Sequence, residues 1–233
     1  MRFTDRNFLP MERNQPPSTG IFLMIWILMK PTEVPMLRRF ALLTVAFCIS
    51  VPGLALAAPW ELDPVHTGVH FKVRHLMVSS VRGDFEKLSG KIVYDEADVS
   101  KSTADITIEA ASINTGVAKR DEDLRSPNFL DVAKYPTITF KSGKVEKTGN
   151  GTLRMTGDLT IKGVTREVVL AVEGPTPAVK DPWGNQRVGG SATTRINRKD
   201  FGLTYHKTLE AGGLVVGDDV DITIDVEIFR KPG

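Results

Sequence analysis

The 233-residue sequence contains a single cysteine and almost no excess of charge of either sign. One cysteine excludes an internal disulfide framework and any CxxC or cysteine-rich zinc site. The 30 lysines and arginines are balanced by 28 aspartates and glutamates, which argues against nucleic-acid binding through a large positive excess. A hydrophobic content of 41% argues against disorder. These features predict a turn-rich globular domain.

The sequence also lacks the short motifs that commonly carry phosphate binding or catalysis. It contains no G-x-G-x-x-G and no P-loop, and Ser126 has no G-x-S-x-G setting for a nucleophile elbow. The run Arg120-Asp121-Glu122-Asp123 offers carboxylates, but we interpret it as the start of a short helix, where acidic side chains complement the helix dipole. His206 has no carboxylate pattern around it to orient the ring. We therefore predict no catalytic residues.

Three of the four histidines, His66, His70 and His75, lie close together in the sequence. The alternation of apolar and polar residues over 69–73 predicts a strand, in which His66 and His70 lie about 13 Å apart. Zinc requires Zn–N distances near ~2.1 Å, so this pair cannot share an ion and we predict no metal site. His75 is in phase with the apolar face, which predicts a histidine in the interior or at its rim.

Residues 36–57 have the order of a cleavable secretory signal. Arg38 and Arg39 precede an uncharged apolar run, and the Ala-Leu-Ala sequence at 55–57 provides an A-x-A cleavage site. A membrane anchor is the alternative, because the apolar run approaches the roughly 20 residues that a span needs. The signal predicts export to the periplasm or out of the cell.

Residues 1–35 fit a signal less well than the segment that follows. We interpret them as a disordered or untranslated extension, with translation starting at Met36. Cys48 lies inside the apolar run after Phe47, which is not the setting of a lipid-attachment cysteine. The globular domain is predicted to span 58–233.

The dominant pattern from Trp60 onward is alternation with period two. The clearest run is 219–228, where valine and isoleucine alternate with acidic residues and threonine, as in a half-buried antiparallel strand. Turn-forming residues separate about eight such segments, which predicts a sandwich or a barrel. One segment, 119–134, predicts a short helix. If the sheet closes, its lumen is lined by apolar side chains and either is filled by them or holds one small ligand.

A series of short stretches extends over nearly all of 58–233. They are Trp60-Glu61-Leu62-Asp63-Pro64 with His66, His75-Leu76, Val81-Arg82-Gly83 with Phe85, Ser112-Ile113-Asn114-Thr115, Arg120-Asp121, Leu124-Arg125-Ser126 with Phe129, Tyr135-Pro136 with Phe140, Gly157-Asp158-Leu159-Thr160-Ile161, Gly163-Val164-Thr165, Asp181-Pro182-Trp183-Gly184 with Arg187, and Asp200-Phe201-Gly202. In this order and at these spacings, the stretches resemble the YceI-like family of exported polyisoprenoid-binding proteins. One position departs from the family pattern, because Asp123 precedes Leu124 where a histidine is frequent.

The resemblance implies an all-β fold, an elongated antiparallel lipocalin-like barrel of roughly eight strands with one short helical segment. It also implies a non-catalytic protein that holds a long-chain isoprenoid lipid, an isoprenoid quinone or a similar amphiphile in the lumen for transport or storage. No cofactor other than such a bound lipid is expected. No nucleic-acid partner is expected, while transient membrane contact for lipid exchange and a homodimer are left open.

Twelve residues are predicted to contact the lipid. Ten are strand residues in phase with the apolar face, and two aromatic residues, Phe129 from the helical segment and Phe201, are placed where they can close one end of the lumen. The predicted ligand-binding residues are Val69, Phe71, Val73, His75, Ile106, Ile108, Phe129, Ile138, Phe140, Leu159, Ile196 and Phe201.

Two other functions remain open at this point. One is an enzyme acting on an isoprenoid lipid, with His75 as base and Asp121 orienting it, which requires the two groups to meet in space. The other is a ligand-free β-sandwich that serves as an interaction module and has a filled interior.

Overall fold

The computed structural model describes residues 59–208 and 214–232. The predicted extension at 1–35 and the predicted signal at 36–57 lie outside these residues, so both stay predictions. Among the described residues, no helix is long and apolar enough to cross a membrane.

The described chain forms twelve strands and one α-helix. The strands are β1 (Glu61–Leu62), β2 (Gly68–His75), β3 (Ser79–Phe85), β4 (Leu88–Val93), β5 (Thr103–Glu109), β6 (Ile113–Asn114), β7 (Thr137–Gly149), β8 (Thr152–Ile161), β9 (Val164–Glu173), β10 (Val179–Lys180), β11 (Gln186–Asn197) and β12 (Val216–Arg230), and the helix α1 (Ala118–Arg125) lies between β6 and β7. Single 3₁₀ turns occur at Val99–Lys101, Ala110–Ser112 and Arg198–Phe201.

All strands belong to a single antiparallel sheet with the order β4-β5-β7-β8-β9-β11-β12-β2-β3-β6, while β1 pairs with β12 and β10 pairs with β11. The end strands do not pair with each other, but β3 continues into β4 through Glu86 and Lys87 alone. At this bend Glu86 N donates to Ser112 O at 3.2 Å and Glu109 N donates to Lys87 O at 2.9 Å. The chain itself therefore joins β4, at one end of the strand order, to β3, which lies next to β6 at the other end. The sheet curls around its apolar face.

This architecture confirms the predicted lipocalin-like β fold and corrects the predicted strand count from roughly eight to twelve. Three of the twelve strands, β1, β6 and β10, have two residues each, too few for a period of two to be visible. β3 and β4 are the two halves of one bent segment. A single curled sheet also differs from the two packed sheets of the β-sandwich alternative.

The clean alternation at the end of the sequence forms the longest strand, β12. It pairs with β11 in an unbroken register from Gln186↔Arg230 to Asn197↔Asp219 and with β2 on its other side. Its valine and isoleucine side chains face the interior, whereas Asp221 and Asp225 form ion pairs on the outer face. Burial of one face therefore sets the register of the strand.

The predicted helix is confirmed but is shorter than the segment 119–134. It ends at Arg125, where Ser126 N and Ser126 Oγ both bond to Asp123 O. Asp121 is 6% exposed and accepts hydrogen bonds from the N–H and hydroxyl groups of Thr115 at 2.9 and 2.5 Å. Its role is thus to hold the loop that precedes the helix.

The contiguous apolar core fills one part of the interior. Phe129 and Leu130, which follow the helix, pack there with Phe201 and Leu203 against side chains of the sheet, and the ring centroids of Phe129 and Tyr205 lie 4.8 Å apart. Six further buried wall residues lie outside this cluster, and they line the cavity together with most members of the cluster: Val145, Leu153, Leu170, Val188, Ala192 and Ile228.

Candidate functional site

The curled sheet encloses an apolar cavity of about 340 Å³, a volume near the lower end of the ~300–1,000 Å³ of small-molecule sites. Every described strand except β10 contributes a lining residue. Among the described lining residues, Arg198 and Tyr94 are the only ionisable ones. Burial, together with the charge of Glu96, raises the pKa of Tyr94 above its usual value of 10.0, so its hydroxyl is neutral at pH 7.

Ten of the twelve residues predicted to contact a ligand lie in the wall of this cavity. They come from strands that are far apart in the sequence, and the curl of the sheet brings their side chains together. These residues are Val69, Phe71, Val73, Ile106, Ile108, Phe129, Ile138, Phe140, Leu159 and Ile196. Contact between a ligand and any of them stays a prediction.

The other two residues, His75 and Phe201, do not line the cavity. His75 is the last residue of β2, half-buried, and pairs with Ser79 in the adjoining hairpin and with Val216. Phe201 is 1% exposed and packs inside the core. Period two predicts the direction of the His75 side chain but not where β2 leaves the lumen. Phe201, predicted to close one end of the lumen, instead ends a 3₁₀ turn and packs in the core.

The cavity wall also contains residues that the sequence prediction did not include. The inward faces of β9 and β12 supply them: Val168, Leu170, Val172, Val220, Ile222, Ile224, Val226 and Ile228. The same alternation marks these residues as apolar-faced, so the signal was present. Nothing in a local pattern distinguishes a side chain that faces space from one that faces another side chain.

The rings of two lining phenylalanines lie close to glycines of the neighbouring strand. A Cβ atom on Gly83 would lie 2.5 Å from Cζ of Phe71, and a Cβ atom on Gly157 would lie 2.7 Å from Cζ of Phe140. These distances are too short for any side chain, so the absence of one at each glycine makes room for the ring. The glycines thereby keep the aromatic rings against the wall.

Arg198 is a buried, charged residue of the cavity wall, and its guanidinium nitrogens donate hydrogen bonds to other groups of the protein. Its Nε donates to Gly217 O at 2.9 Å, its Nη1 donates to Leu203 O, and its Nη2 donates to Asp218 Oδ1 at 3.0 Å. These bonds join the 3₁₀ turn at 198–201 to the start of β12. The guanidinium is therefore neutralised and held in place.

A second arginine joins three carboxylates on the outer surface of the wall. Arg187 donates from Nη1 to Asp63 Oδ2 at 2.7 Å and from Nε to Asp181 Oδ2 at 2.8 Å, and Nη1 also pairs with Glu227. The side chains of Asp63 and Asp181 are 9% and 5% exposed. We call these four residues, Asp63, Asp181, Arg187 and Glu227, the Arg187 network.

The network lowers the pKa of its aspartates. Burial alone would raise the pKa of Asp63, but hydrogen bonds from His66 and Arg187 hold it well below its ordinary value of 3.8. Burial would also raise the pKa of Asp181, and hydrogen bonds from Arg187 and Asn185 instead lower it to about 2. The carboxylates in turn raise the pKa of Arg187. Asp63, Asp181 and Arg187 are therefore charged at neutral pH.

Asp63, His66 and Glu227 also place potential metal-ligand atoms within 4.8 Å of one another. Arg187 donates to both carboxylates of this group, and His66 Nδ1 lies 3.0 Å from Asp63 Oδ2. A guanidinium between the ligands opposes a cation by charge and already uses their oxygens. The donor set therefore suits an ion-pair network better than a metal.

The pair required by the enzyme alternative is not assembled. Asp121 directs its carboxylate to Thr115, and among the described residues no hydrogen bond joins Asp121 to His75. His75 also lies outside the cavity wall. The geometry gives this pair no shared substrate position.

Comparison with known proteins gives matches over most of the described chain. The family model described as the YceI-like domain matches residues 60–228. A UPF0312 protein of Vibrio cholerae is 41% identical over 160 residues, which cover 68% of this chain and 84% of that protein. A UPF0312 protein of Ectopseudomonas mendocina is 42% identical over 156 residues, covering 66% of this chain and 81% of that protein.

Three solved structures illustrate the similarity of fold. The Campylobacter jejuni YceI protein has a TM-score of 0.59 and 36% identity, covering 69% of this chain and 91% of that one. Burkholderia cenocepacia BcnA has a TM-score of 0.62 and 22% identity, covering 72% and 99%. A polyisoprenoid binding domain from Saccharophagus degradans has a TM-score of 0.52 and 18% identity, covering 75% and 99%. The last two likenesses show the fold alone.

Proposed function

Since the chain belongs to the YceI-like family, we propose that its described domain carries or stores a long-chain isoprenoid lipid, such as an isoprenoid quinone, in the cavity. The observation that carries this proposal is the apolar lumen itself, which eleven strands line with aliphatic and aromatic side chains. The polyisoprenoid binding described for the Saccharophagus degradans domain supports the same class of ligand here.

The lumen suits a hydrocarbon chain better than a polar solute. Each buried CH₂ group contributes about 0.8 kcal/mol, so ten buried carbons contribute roughly 8 kcal/mol before the cost of ordering the chain. Apolar walls discriminate poorly among such chains, so length and head group must supply the selectivity. A polar molecule would lose its hydrogen bonds with water on entry and gain few in return.

We propose that the protein acts without catalysing a reaction. The described part of the cavity wall has Tyr94 and Arg198 as its ionisable side chains, and Arg198 is already bonded to main-chain carbonyls and to Asp218. General acid–base catalysis needs a donor and an acceptor within hydrogen-bond reach of the substrate. Neither group meets this requirement as a base at neutral pH.

We also propose that the protein is exported and that the signal at 36–57 is removed. The intact mass of protein purified from cells that express the full chain is expected to correspond to a first residue of Ala58. A mass that retains the apolar run would instead indicate an anchored protein.

The carrier role is tested by extracting the purified protein with organic solvent and identifying the lipid by mass spectrometry. We expect one long-chain lipid per protein molecule. Folded protein that yields lipid-free extracts and takes up no added prenyl quinone would exclude the proposal.

A matched pair of substitutions on β11 tests whether the lipid occupies this cavity. Ala192 is 7% exposed and lines the cavity, whereas its neighbour Thr193 is exposed on the outer face. Ala192→Phe fills part of the lumen and is expected to reduce the bound lipid severalfold, while Thr193→Phe should leave it unchanged. Equal lipid content in both folded variants would place the lipid elsewhere.

A further inference from the structure

Two turns on the same side of the domain repeat one three-residue pattern, aspartate, proline and an apolar residue. Asp63-Pro64-Val65 follows β1, and Asp181-Pro182-Trp183 follows β10. In each turn the aspartate Oδ1 accepts a hydrogen bond from the main-chain N–H two positions later, at 2.9 Å for Val65 and 3.0 Å for Trp183. The apolar residues are 82% and 77% exposed. We call Val65 and Trp183 the apolar tips.

The Arg187 network holds both turns. The guanidinium bonds to the second carboxylate oxygen of each aspartate, Asp63 Oδ2 and Asp181 Oδ2, while Oδ1 of each organises its own turn. The side chain of Asn185 adds a further bond to Asp181 Oδ2 at 2.8 Å. The charged groups thus lie inward and fix the backbone of both turns, while the two apolar tips point away from the protein.

This arrangement has the character of a preorganised contact surface. Because the side chain of Trp183 is mostly exposed, its burial contributes little to the stability of the fold. The backbone of its turn is nevertheless fixed by the nearly buried ion pair between Asp181 and Arg187. Prior ordering of a contact residue lowers the entropy cost of binding. The geometry therefore favours a partner that covers the apolar tips.

The apolar tips adjoin the cavity wall. Leu62, Val188 and Ile228 each precede or follow a member of the Arg187 network in the sequence, and all three line the cavity. Val188 and Ile228 are buried residues of this wall. A partner bound at the tips would lie against the outside of this wall.

We propose that Val65 and Trp183 dock the protein on a lipid bilayer, where the cavity lipid is exchanged. This inference rests on the proposed function, because a carrier of a membrane lipid must reach a membrane to load and unload. The indole ring suits the bilayer interface, since it has an apolar body and one N–H donor and settles at the level of the lipid head groups.

The charges around the tips favour a bilayer that needs no anionic lipid. Besides the network itself, Arg230 pairs with Glu96 at 2.6 Å and Lys231 pairs with Glu61 at 3.1 Å. Arg230 and Lys231 are thus matched by carboxylates. Lys180, which precedes Asp181 and has no ion pair among the described residues, is outweighed by the three carboxylates that share Arg187. Binding driven by the apolar tips should therefore depend little on anionic lipid or on salt.

A second exposed apolar site provides the matched control. Val78, in the hairpin between β2 and β3, is 79% exposed and stands between Arg74 and Arg82, for which no ion pair is present among the described residues. Docking through this hairpin would strengthen with anionic lipid. The two surfaces therefore predict different lipid dependences.

The test measures flotation with vesicles of phosphatidylcholine, and with vesicles that also contain phosphatidylglycerol, using protein purified from cells that express the full chain. Trp183→Ser is compared with Val78→Ser, and intact masses confirm that all preparations share one N-terminus. We expect Trp183→Ser to lower the partition coefficient about tenfold, as for the loss of one large apolar side chain from the interface, and Val78→Ser to have little effect. Brominated phosphatidylcholine should quench the part of the emission that Trp183→Ser removes.

Several results would overturn the docking surface. The first is an equal loss of vesicle binding in Trp183→Ser and Val78→Ser, and the second is binding that requires phosphatidylglycerol. The third is tryptophan emission that a co-purifying protein quenches and brominated lipid does not. The lipid content of each preparation is measured in parallel. Docking failure with a normal lipid content refutes the docking surface alone, whereas lipid-free protein without quinone uptake refutes the carrier function.

Discussion

The buried charged side chains of the described domain are satisfied by named partners. Asp63 bonds to Arg187, Asp121 bonds to Thr115, and Arg198 bonds to main-chain carbonyls. An unpaired buried charge would cost several kcal/mol, so removing one partner is more damaging than the bond itself suggests. Single substitutions at these residues therefore report on the fold around the cavity.

Arg187→Gln should change how stability depends on pH. In the wild-type protein the pKa of Asp181 is lowered to about 2 from 3.8, so its contribution is fully present above about pH 4 and is lost as the pH falls through about 2. The variant lacks the main donor, so its Tm should be lower than that of the wild type at pH 7. The difference should shrink as the pH falls below 4.

Thermal unfolding followed by circular dichroism from pH 7 to pH 2 measures this effect. A difference in Tm that stays constant over the range would show that Arg187 does not act through these carboxylates.

Arg198→Ala should destabilise the fold by about 3 kcal/mol or more, because it leaves buried acceptors without donors. The acceptors are the carbonyls of Gly217 and Leu203, whereas the carboxylate of Asp218 keeps its bond from Lys199 Nζ at 2.7 Å. Arg195 provides the control, since it is exposed and bonds only to Asp221. Urea unfolding should show a large loss for Arg198→Ala and little change for Arg195→Ala, and similar losses would contradict the structural role of Arg198.

At the scale of the elements, the turn between β8 and β9 requires glycine for two reasons, the backbone conformation and the space available for a Cβ atom. Lys162 and Gly163 both adopt positive φ, at 49° and 76°, as a two-residue hairpin turn demands. A Cβ atom on Gly163 would also lie 2.6 Å from Cε1 of Tyr135. The turn sets the register of two long strands that line the cavity.

Gly163→Ala is expected to destabilise the domain by about 1–2 kcal/mol, because alanine is strained at positive φ and its methyl group meets the Tyr135 ring. Gly143→Ala is the control: its added Cβ would meet only Thr156 O at 3.6 Å, an ordinary contact. Denaturant midpoints compare the two variants. Equal stability of both would show that the turn accommodates a side chain.

Element by element, the local pattern predicted the strands with a long alternation and missed those defined by distant pairing. β12 was predicted from its sequence because apolar and polar residues alternate over the ten positions of 219–228. β1 and β10, with two residues each, become strands only through their pairing with β12 and β11. The bend at Glu86 and Lys87 likewise depends on bonds to residues 109 and 112.

For the whole molecule, a bound lipid should contribute to apparent stability. A ligand that binds only the folded state stabilises it by roughly 2.7 kcal/mol when present at 100 times its Kd. A lipid in the cavity of about 340 Å³ would act in this way, because the cavity exists only in the folded domain. Removal of the lipid with detergent should lower the Tm, and addition of a prenyl quinone should restore it.

Differential scanning calorimetry of the purified, stripped and reloaded protein measures this prediction. Ala192→Phe serves as the control, because a filled lumen should be less sensitive to stripping. An unchanged Tm after verified removal of the lipid would show that the ligand contributes nothing to folded-state stability.

The sequence by itself determined which residues face inward, because that property depends only on neighbours two positions away. Alternation predicted the β fold and nine of the residues in the cavity wall, and the tenth, Phe129, came from the predicted helical segment. Tertiary structure alone decided which inward-facing residues line the cavity. His75 and Phe201 show this, because both were predicted to contact a ligand and neither lies in the cavity wall. Tertiary structure alone also brought Arg187 to Asp63, 124 positions away in the sequence. Both outcomes depend on how the sheet curls, and curl is the sum of contacts between distant strands that no local pattern contains.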